Sequence, residues 1–196
     1  PIRITGIYQL TGSGAAYGEL AIRGARLATE EINRNGGVKG RMIEFTVEDS
    51  KSNAKDAVSA LQKQIAERVK IYISQQSGIV LALAPIVNEQ EAILIDTGAT
   101  TLLYTTPNDF TFRTSYNAGT LAKQTAARLN EKGVQRVGLL YMNDEYGQGM
   151  AGKYKESLAG TIVAEETFLP KSTDMKTQLL KVARTKPEAV VYVSLA

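Results

Sequence analysis

Apolar and polar positions along the chain switch repeatedly between a period of two and a helical period. Ile2-Arg3-Ile4-Thr5-Gly6-Ile7-Tyr8 reads as a strand. Ala21, Ala25, Ala28 and Ile32 then recur at helical spacing until Asn35-Gly36-Gly37 stops the helix. Met42 to Glu48 predicts a second strand. Asn53, with Asp56 three residues on, caps a second helix carrying Val58, Leu61 and Ile65 on one face. Val69 to Ile73 predicts a third strand, Ser77 to Glu89 a third helix and Ala92 to Ile95 a fourth strand. Strands alternating with helices imply right-handed crossovers and a parallel sheet, an α/β fold.

The rhythm breaks between Thr100 and Tyr116, a stretch holding Pro107-Asn108-Asp109 and a short extended run from Phe110 to Thr114. A crossing between two lobes is expected near Ser115 to Ala118, with 1–116 in the first lobe and 117–196 in the second. The alternation then restarts. Leu121, Thr125 and Leu129 share a helical face that Lys132-Gly133 ends. Arg136 to Tyr141 is a strand, and Asp144 caps a helix running to about Ala159. Thr161 to Phe168 is a strand, Asp174 to Arg184 a helix and Ala189 to Ser194 a strand. The second lobe thus has few strands and the chain stops at Ala196, on what reads as a central strand. A partial protein is expected, with a continuation that would complete both lobes. The start at Pro1, already inside a strand, reads as trimmed.

Composition narrows the chemistry. The chain has 196 residues, 43% hydrophobic and 22% charged, with a formal net charge of +3 from scattered basic residues. That scatter gives no nucleic-acid surface. There is no Cys and no His, which removes disulfides, thiol catalysis, Cys- or His-ligated metals and the Ser-His-Asp triad. The longest apolar run, Gly78 to Val87, is too short to span a bilayer and contains Pro85. On composition, catalysis would have to rest on Asp, Glu, Lys, Tyr, Ser or a cofactor; no motif below supplies one, and no catalytic residue, cofactor, metal site or membrane insertion is expected.

The glycine-rich turn Thr11-Gly12-Ser13-Gly14-Ala15-Ala16-Tyr17-Gly18 lies at a strand's carboxyl end and opens a helix, where α/β sheets bind ligands. A dinucleotide fingerprint would need glycine at Tyr17; it arrives at Gly18. Asp49 could imitate an acid that holds a ribose. None of the nine Tyr residues has Lys four positions later, as a short-chain dehydrogenase would, and there is no P-loop. In a binding protein Tyr17 would instead wall a cleft, or simply cap the first helix half-buried. Ser77, in Gln75-Gln76-Ser77-Gly78, can cap the third helix and, with free amides nearby, hold an anion. Gly98 and Ala99 let a ligand reach the main chain, and Thr100 and Thr101 supply hydroxyls. Neither loop carries Lys or Arg, which suits a carboxylate or amide better than a phosphate. Asn143-Asp144-Glu145-Tyr146-Gly147-Gln148-Gly149 is the matching loop of the second lobe. There Asp144 reads as a helix cap and Tyr146 as a residue that could close over a ligand; Asp144 and Glu145 could also form a carboxylate pair.

Taken in order, several runs resemble the periplasmic leucine/isoleucine/valine-binding protein family. They are Tyr17-Gly18, Gly24-Ala25, Glu30-Glu31-Ile32-Asn33, Gly36-Gly37-Val38-Lys39-Gly40-Arg41, Glu48-Asp49-Ser50, Ser77-Gly78 with Ala84-Pro85, Gly98-Ala99-Thr100, Phe112-Arg113-Thr114, and Tyr141 through Tyr146-Gly147-Gln148-Gly149. The resemblance covers essentially the whole chain. It implies a type I periplasmic binding fold: two Rossmann-like lobes with parallel sheets, joined by crossing strands, that close on a small solute. It also implies a periplasmic or membrane-tethered extracellular location and a permease of an ABC importer as partner.

In such proteins the carboxylate-holding positions fall on Ser77, Ala99 and Thr100, with Gly78 and Gly98 also among the ligand-binding residues, and Tyr17 and Tyr146 would be the aromatic positions. The family often has Gly-Pro where Ser74-Gln75 stand, Ser-Pro at Asp96-Thr97 and Pro at Leu102. Asp96 would disfavour a bare carboxylate unless it is turned away or paired, and Gln75 and Gln76 could donate to an amide or aromatic acid. Relatives take aliphatic amino acids, amides, urea or aromatic carboxylates. A sensory ectodomain of the same fold and a nucleotide-dependent enzyme are the competing readings.

Overall fold

The computed structural model describes residues 1–101, 103–104 and 109–194. Leu102, Pro107, Asn108 and Ala196, on which parts of the sequence reading fall, lie outside the described residues. Two compact units emerge, Pro1–Ala99 with Leu103–Ser115 and Thr100–Leu102 with Tyr116–Ala196.

The first unit runs β1 (Ile2–Tyr8), α1 (Ala15–Arg34), β2 (Ile43–Asp49), α2 (Ala54–Ala66), β3 (Ile71–Ser74), α3 (Ser77–Glu89), β4 (Ile93–Asp96) and β5 (Thr111–Arg113). All five strands are parallel, in the order β2-β1-β3-β4-β5. The β3 and β4 side chains alternate between half-buried and buried, as in strands covered by helices. Their apolar side chains meet Leu61 of α2 and Ile79, Val80, Leu83 and Val87 of α3 in one core with Ile7, Tyr72 and Leu94. α3 is the most apolar helix and carries Pro85 in its interior, so burial rather than intrinsic propensity holds it. Asn53 caps α2 as expected, accepting from the Asp56 amide at 2.9 Å.

α1 departs from expectation. Of its 20 residues only Gly18 and Ile22 are buried. Ala28 and Ile32, which recur at helical spacing with Ala21 and Ala25, are exposed because no described element packs over that face.

The second unit runs α4 (Ala118–Glu131), β6 (Arg136–Met142), α5 (Glu145–Ser157), β7 (Thr161–Phe168), α6 (Lys176–Arg184) and β8 (Ala189–Val193). Its sheet is parallel in the order β7-β6-β8. Ala118, Ala122, Val137, Leu139, Met150, Ala151, Tyr154, Val191 and Val193 form its main core, with Leu121 and Leu129 packed at the margin. Small residues on α4 let that helix lie close to α5 and the sheet.

Candidate functional site

Because β1, β3 and β4 are parallel, their carboxyl ends share one edge. The register sets Ile7 beside Ser74 and Ser74 beside Asp96. The chain leaves β1 toward β2 on one side and reaches β3 on the other, so the β1/β3 gap is the topological switch point where such sheets bind ligands. Three loops meet this edge, after Tyr8, after Ser74 and after Asp96.

The loop after β1 is held from outside itself. Asp49 accepts from the Leu10 amide at 2.9 Å, the Thr11 hydroxyl at 2.7 Å and the Lys51 amide at 2.7 Å. Partial burial works against its ionisation, but these donors outweigh it and hold its carboxyl below the ordinary range. Asp49 is therefore a loop anchor, and its resemblance to a ribose-holding acid is one of position alone. Ser52 Oγ donates to the Thr11 carbonyl at 2.8 Å and accepts from the Gly14 amide at 3.0 Å. A β-carbon on Gly18 would run into the Gln9 carbonyl, so glycine is required where α1 crosses the end of β1. Tyr17, just before it, is half-buried.

The loop after β3 holds what the sequence reading missed. Gln9 is only 2% exposed. Its Oε1 accepts from Gln75 Nε2 at 2.9 Å, and its Nε2 donates to Gln76 Oε1 at 2.7 Å. The two glutamines proposed to meet a ligand thus meet Gln9 first. The only local signal was a polar residue directly after a buried strand; its partners lie 66 and 67 positions away.

Ser77 does not cap α3, contrary to expectation. Gln76 occupies the cap position, at φ 76° and ψ 125°, and gives no side-chain cap bond. Ser77 is the first helical residue, is 1% exposed, and its Oγ has no hydrogen-bond partner. Gly78 follows it, half-buried.

After β4 the picture changes most. Asp96 is fully buried and turned inward. Its Oδ1 accepts from the Gly98 amide at 2.9 Å and the Ala99 amide at 2.7 Å. Its Oδ2 accepts from the Tyr104 hydroxyl and lies 3.5 Å from Arg113 Nη1. The Gly98 and Ala99 amides, read as open to a ligand, belong to Asp96 here. Burial, then the bond to Asp96, pushes the Tyr104 hydroxyl pKa up. Arg113 stacks 4.7 Å over the Tyr104 ring and donates to the Ala99 carbonyl. Asp96 is thus paired, and its charge is spent inside the unit. Thr100, which groups with the second unit, is buried; its carbonyl accepts from the Ala118 amide at 2.8 Å and its Oγ1 is unpartnered.

The second unit repeats the design of the first. Asp144 caps α5, accepting from the Gly147 amide at 2.8 Å, and burial raises its carboxyl pKa. The cap role removes Asp144 from a carboxylate pair with Glu145, which is exposed. A β-carbon on Gly147 would strike the Met142 carbonyl, as one on Gly18 would strike Gln9. Tyr146-Gly147 therefore takes the place after β6 that Tyr17-Gly18 takes after β1. Tyr146 is half-buried against Leu140, Met142 and Phe168.

Among the described residues, the buried side-chain oxygens without a partner are those of Ser50, Ser77 and Thr100. Among them, too, no cluster of three or more acidic, Cys or His residues could hold a metal, and no helix is long and apolar enough to cross a membrane.

The family described as periplasmic binding protein matches residues 1–196. The Leu/Ile/Val-binding protein BraC3 of Rhizobium johnstonii is 26% identical over 95% of this chain and 52% of that protein. The Leu/Ile/Val-binding protein homolog 1 of Brucella abortus is 31% identical over 76% of this chain and 41% of that protein. The crystal structure of LivJ, a branched-chain amino acid transporter substrate-binding protein of Streptococcus pneumoniae in complex with isoleucine, superposes with a TM-score of 0.86 at 31% identity, over 97% of this chain and 56% of that one. A solute-binding protein of an ABC transporter from R. palustris, in complex with benzoate, shares the fold with a TM-score of 0.88 at 23% identity, over the whole of this chain and 55% of that one. The chain spans about half the length of the relatives it matches.

Proposed function

The chain belongs to the periplasmic binding protein family, and we propose that the protein it is part of captures a small carboxylate-bearing solute outside the cytoplasm and hands it to the permease of an ABC importer. The observation that carries this reading is the buried, unpartnered hydroxyl of Ser77 at the carboxyl edge of the first unit's sheet. A buried hydroxyl without a partner costs roughly 1–3 kcal/mol, which an incoming acceptor returns. Ser77 also opens a 13-residue helix whose dipole favours negative charge there. The pairing of Asp96 with Tyr104 and Arg113 turns inward an anion that would otherwise oppose a carboxylate.

The proposal gives Tyr17 the task of covering the solute's apolar part; Tyr146 holds the matching place in its own unit. Gly78, Gly98 and Ala99 shape the loops by their small size; Gly98 is exposed at the edge and Gly78 half-exposed. The solute class follows the relatives, one crystallised with isoleucine and another with benzoate. No catalytic group is proposed: family members are binding proteins, and Asp49 and Asp144 are committed to loop and cap.

Titration calorimetry against leucine, isoleucine, valine and benzoate tests the reading. We expect one or more to bind, and Ser77→Ala to weaken that binding about tenfold, the effect of one hydrogen bond to a charged group. No binding by any of them, or a Ser77→Ala variant that binds as well as wild type, contradicts it.

A further inference from the structure

The three glutamines at the β1/β3 gap form a relay with one direction. Gln75 Nε2 donates to Gln9 Oε1 at 2.9 Å. Gln9 must then turn its Nε2 to Gln76, whose Oε1 accepts at 2.7 Å. A further contact, from Gln9 Nε2 to the Gln75 carbonyl at 3.4 Å, holds the same orientation. Gln9 is 2% exposed, so its amide has no water-filled alternative. The acceptor end of the relay, Gln75 Oε1, rests against Gly98, 3.5 Å from where a β-carbon there would sit. The donor end is Gln76 Nε2, which has no hydrogen-bond acceptor among the described residues. Gln76 is also held at φ 76°, a conformation rare outside glycine and kept where the surroundings enforce it.

We propose that Gln9 is a positioning residue that locks the Gln76 amide with its Nε2 outward beside Ser77, making Gln76 a specificity-determining donor for a solute carboxylate. The proposal rests on the reading above and deepens it. The edge then offers Gln76 Nε2 and the first amides of α3 as pure donors, beside the Ser77 hydroxyl, which can donate as well. A carboxylate satisfies all of them. A carboxamide of the same shape sets its own NH2 against one of them and loses.

The test is a double-mutant cycle read by calorimetry on the protein, with benzoate against benzamide and leucine against leucinamide as matched probes. Wild type should prefer the carboxylate of the bound pair at least tenfold. Gln76→Ala should cut that preference about tenfold. Gln9→Glu cannot donate, so Gln76 must turn its Nε2 inward and present Oε1; the preference should fall at least as far.

A merely electrostatic effect of the new charge is separated by the double variant. If Gln9 acts through Gln76, Gln9→Glu changes the preference less than about twofold in the Gln76→Ala background. Gln9→Met, which is uncharged and frees Gln76, should also reduce the preference, and serves if Gln9→Glu fails to fold by circular dichroism.

An equal effect of Gln9→Glu in both backgrounds overturns the proposal. So does an unchanged preference in Gln76→Ala while Ser77→Ala weakens binding, and the carboxylate reading then stands without it. If wild type binds no probe, both fall together.

Discussion

Asp49 gathers the Leu10, Thr11 and Lys51 amides and the Thr11 hydroxyl around one carboxylate, and its pKa is lowered in consequence. Its folded pKa lies below its unfolded one. Its contribution to stability is therefore present above the unfolded carboxylate range and is lost as pH falls through the folded value. Asp49→Asn should lower the melting temperature at neutral pH and flatten the loss of stability between about pH 5 and about pH 3. Thermal melts across that range check it; parallel curves for variant and wild type would contradict it.

Glycines give a second contrast at the same scale. Gly18→Ala drives a methyl into the Gln9 carbonyl and should cost about 1–3 kcal/mol or more. Gly24→Ala, in the same helix with open space around it, should stabilise by about 0.5–1 kcal/mol. Denaturant titrations read both. The need for glycine at Gly18 was legible only as a motif; the carbonyl that enforces it becomes visible once α1 is laid across β1. Gln9 showed only as a polar residue after a buried strand, because its meaning lies in partners on another strand's loop.

Elements were read well where local chemistry decides them. Asn53 and Asp144 cap the helices they were expected to cap, because an Asx side chain followed by a helical run is a local signal. Ser77 was misread for the complementary reason. A serine beside a helix start suggests a cap, but Gln76 takes that position with positive φ while accepting from Gln9, 67 positions away. The partners of Asp96 were equally hidden, since Arg113 reaches it through the β4–β5 pairing and Tyr104 from the loop between those strands. Asp96→Ala would leave the Gly98 and Ala99 amides and the Tyr104 hydroxyl without their acceptor. It should cost roughly 3–5 kcal/mol, as breaking a buried ion pair does, measured by denaturant unfolding. A loss below about 1 kcal/mol would show the cluster is not structural. The helices also differ in burial. α3, with six buried residues, should show slower amide exchange than α1, with two. Equal protection of the two would contradict the packing described here.

Across the whole molecule, the alternation of periods was enough to give two parallel sheets, and the family match extends over residues 1–196. What the alternation cannot carry is ligand chemistry, which depends on which hydroxyls are left without partners after folding. Those turn out to include Ser77 and Thr100. The most direct measurement is a crystal structure of the protein grown with whichever amino acid or aromatic acid calorimetry shows to bind. The account predicts that solute's carboxylate within about 3 Å of Ser77 Oγ, at the N-terminus of α3. Density for the solute elsewhere, with the Ser77 hydroxyl still unpartnered, would contradict it.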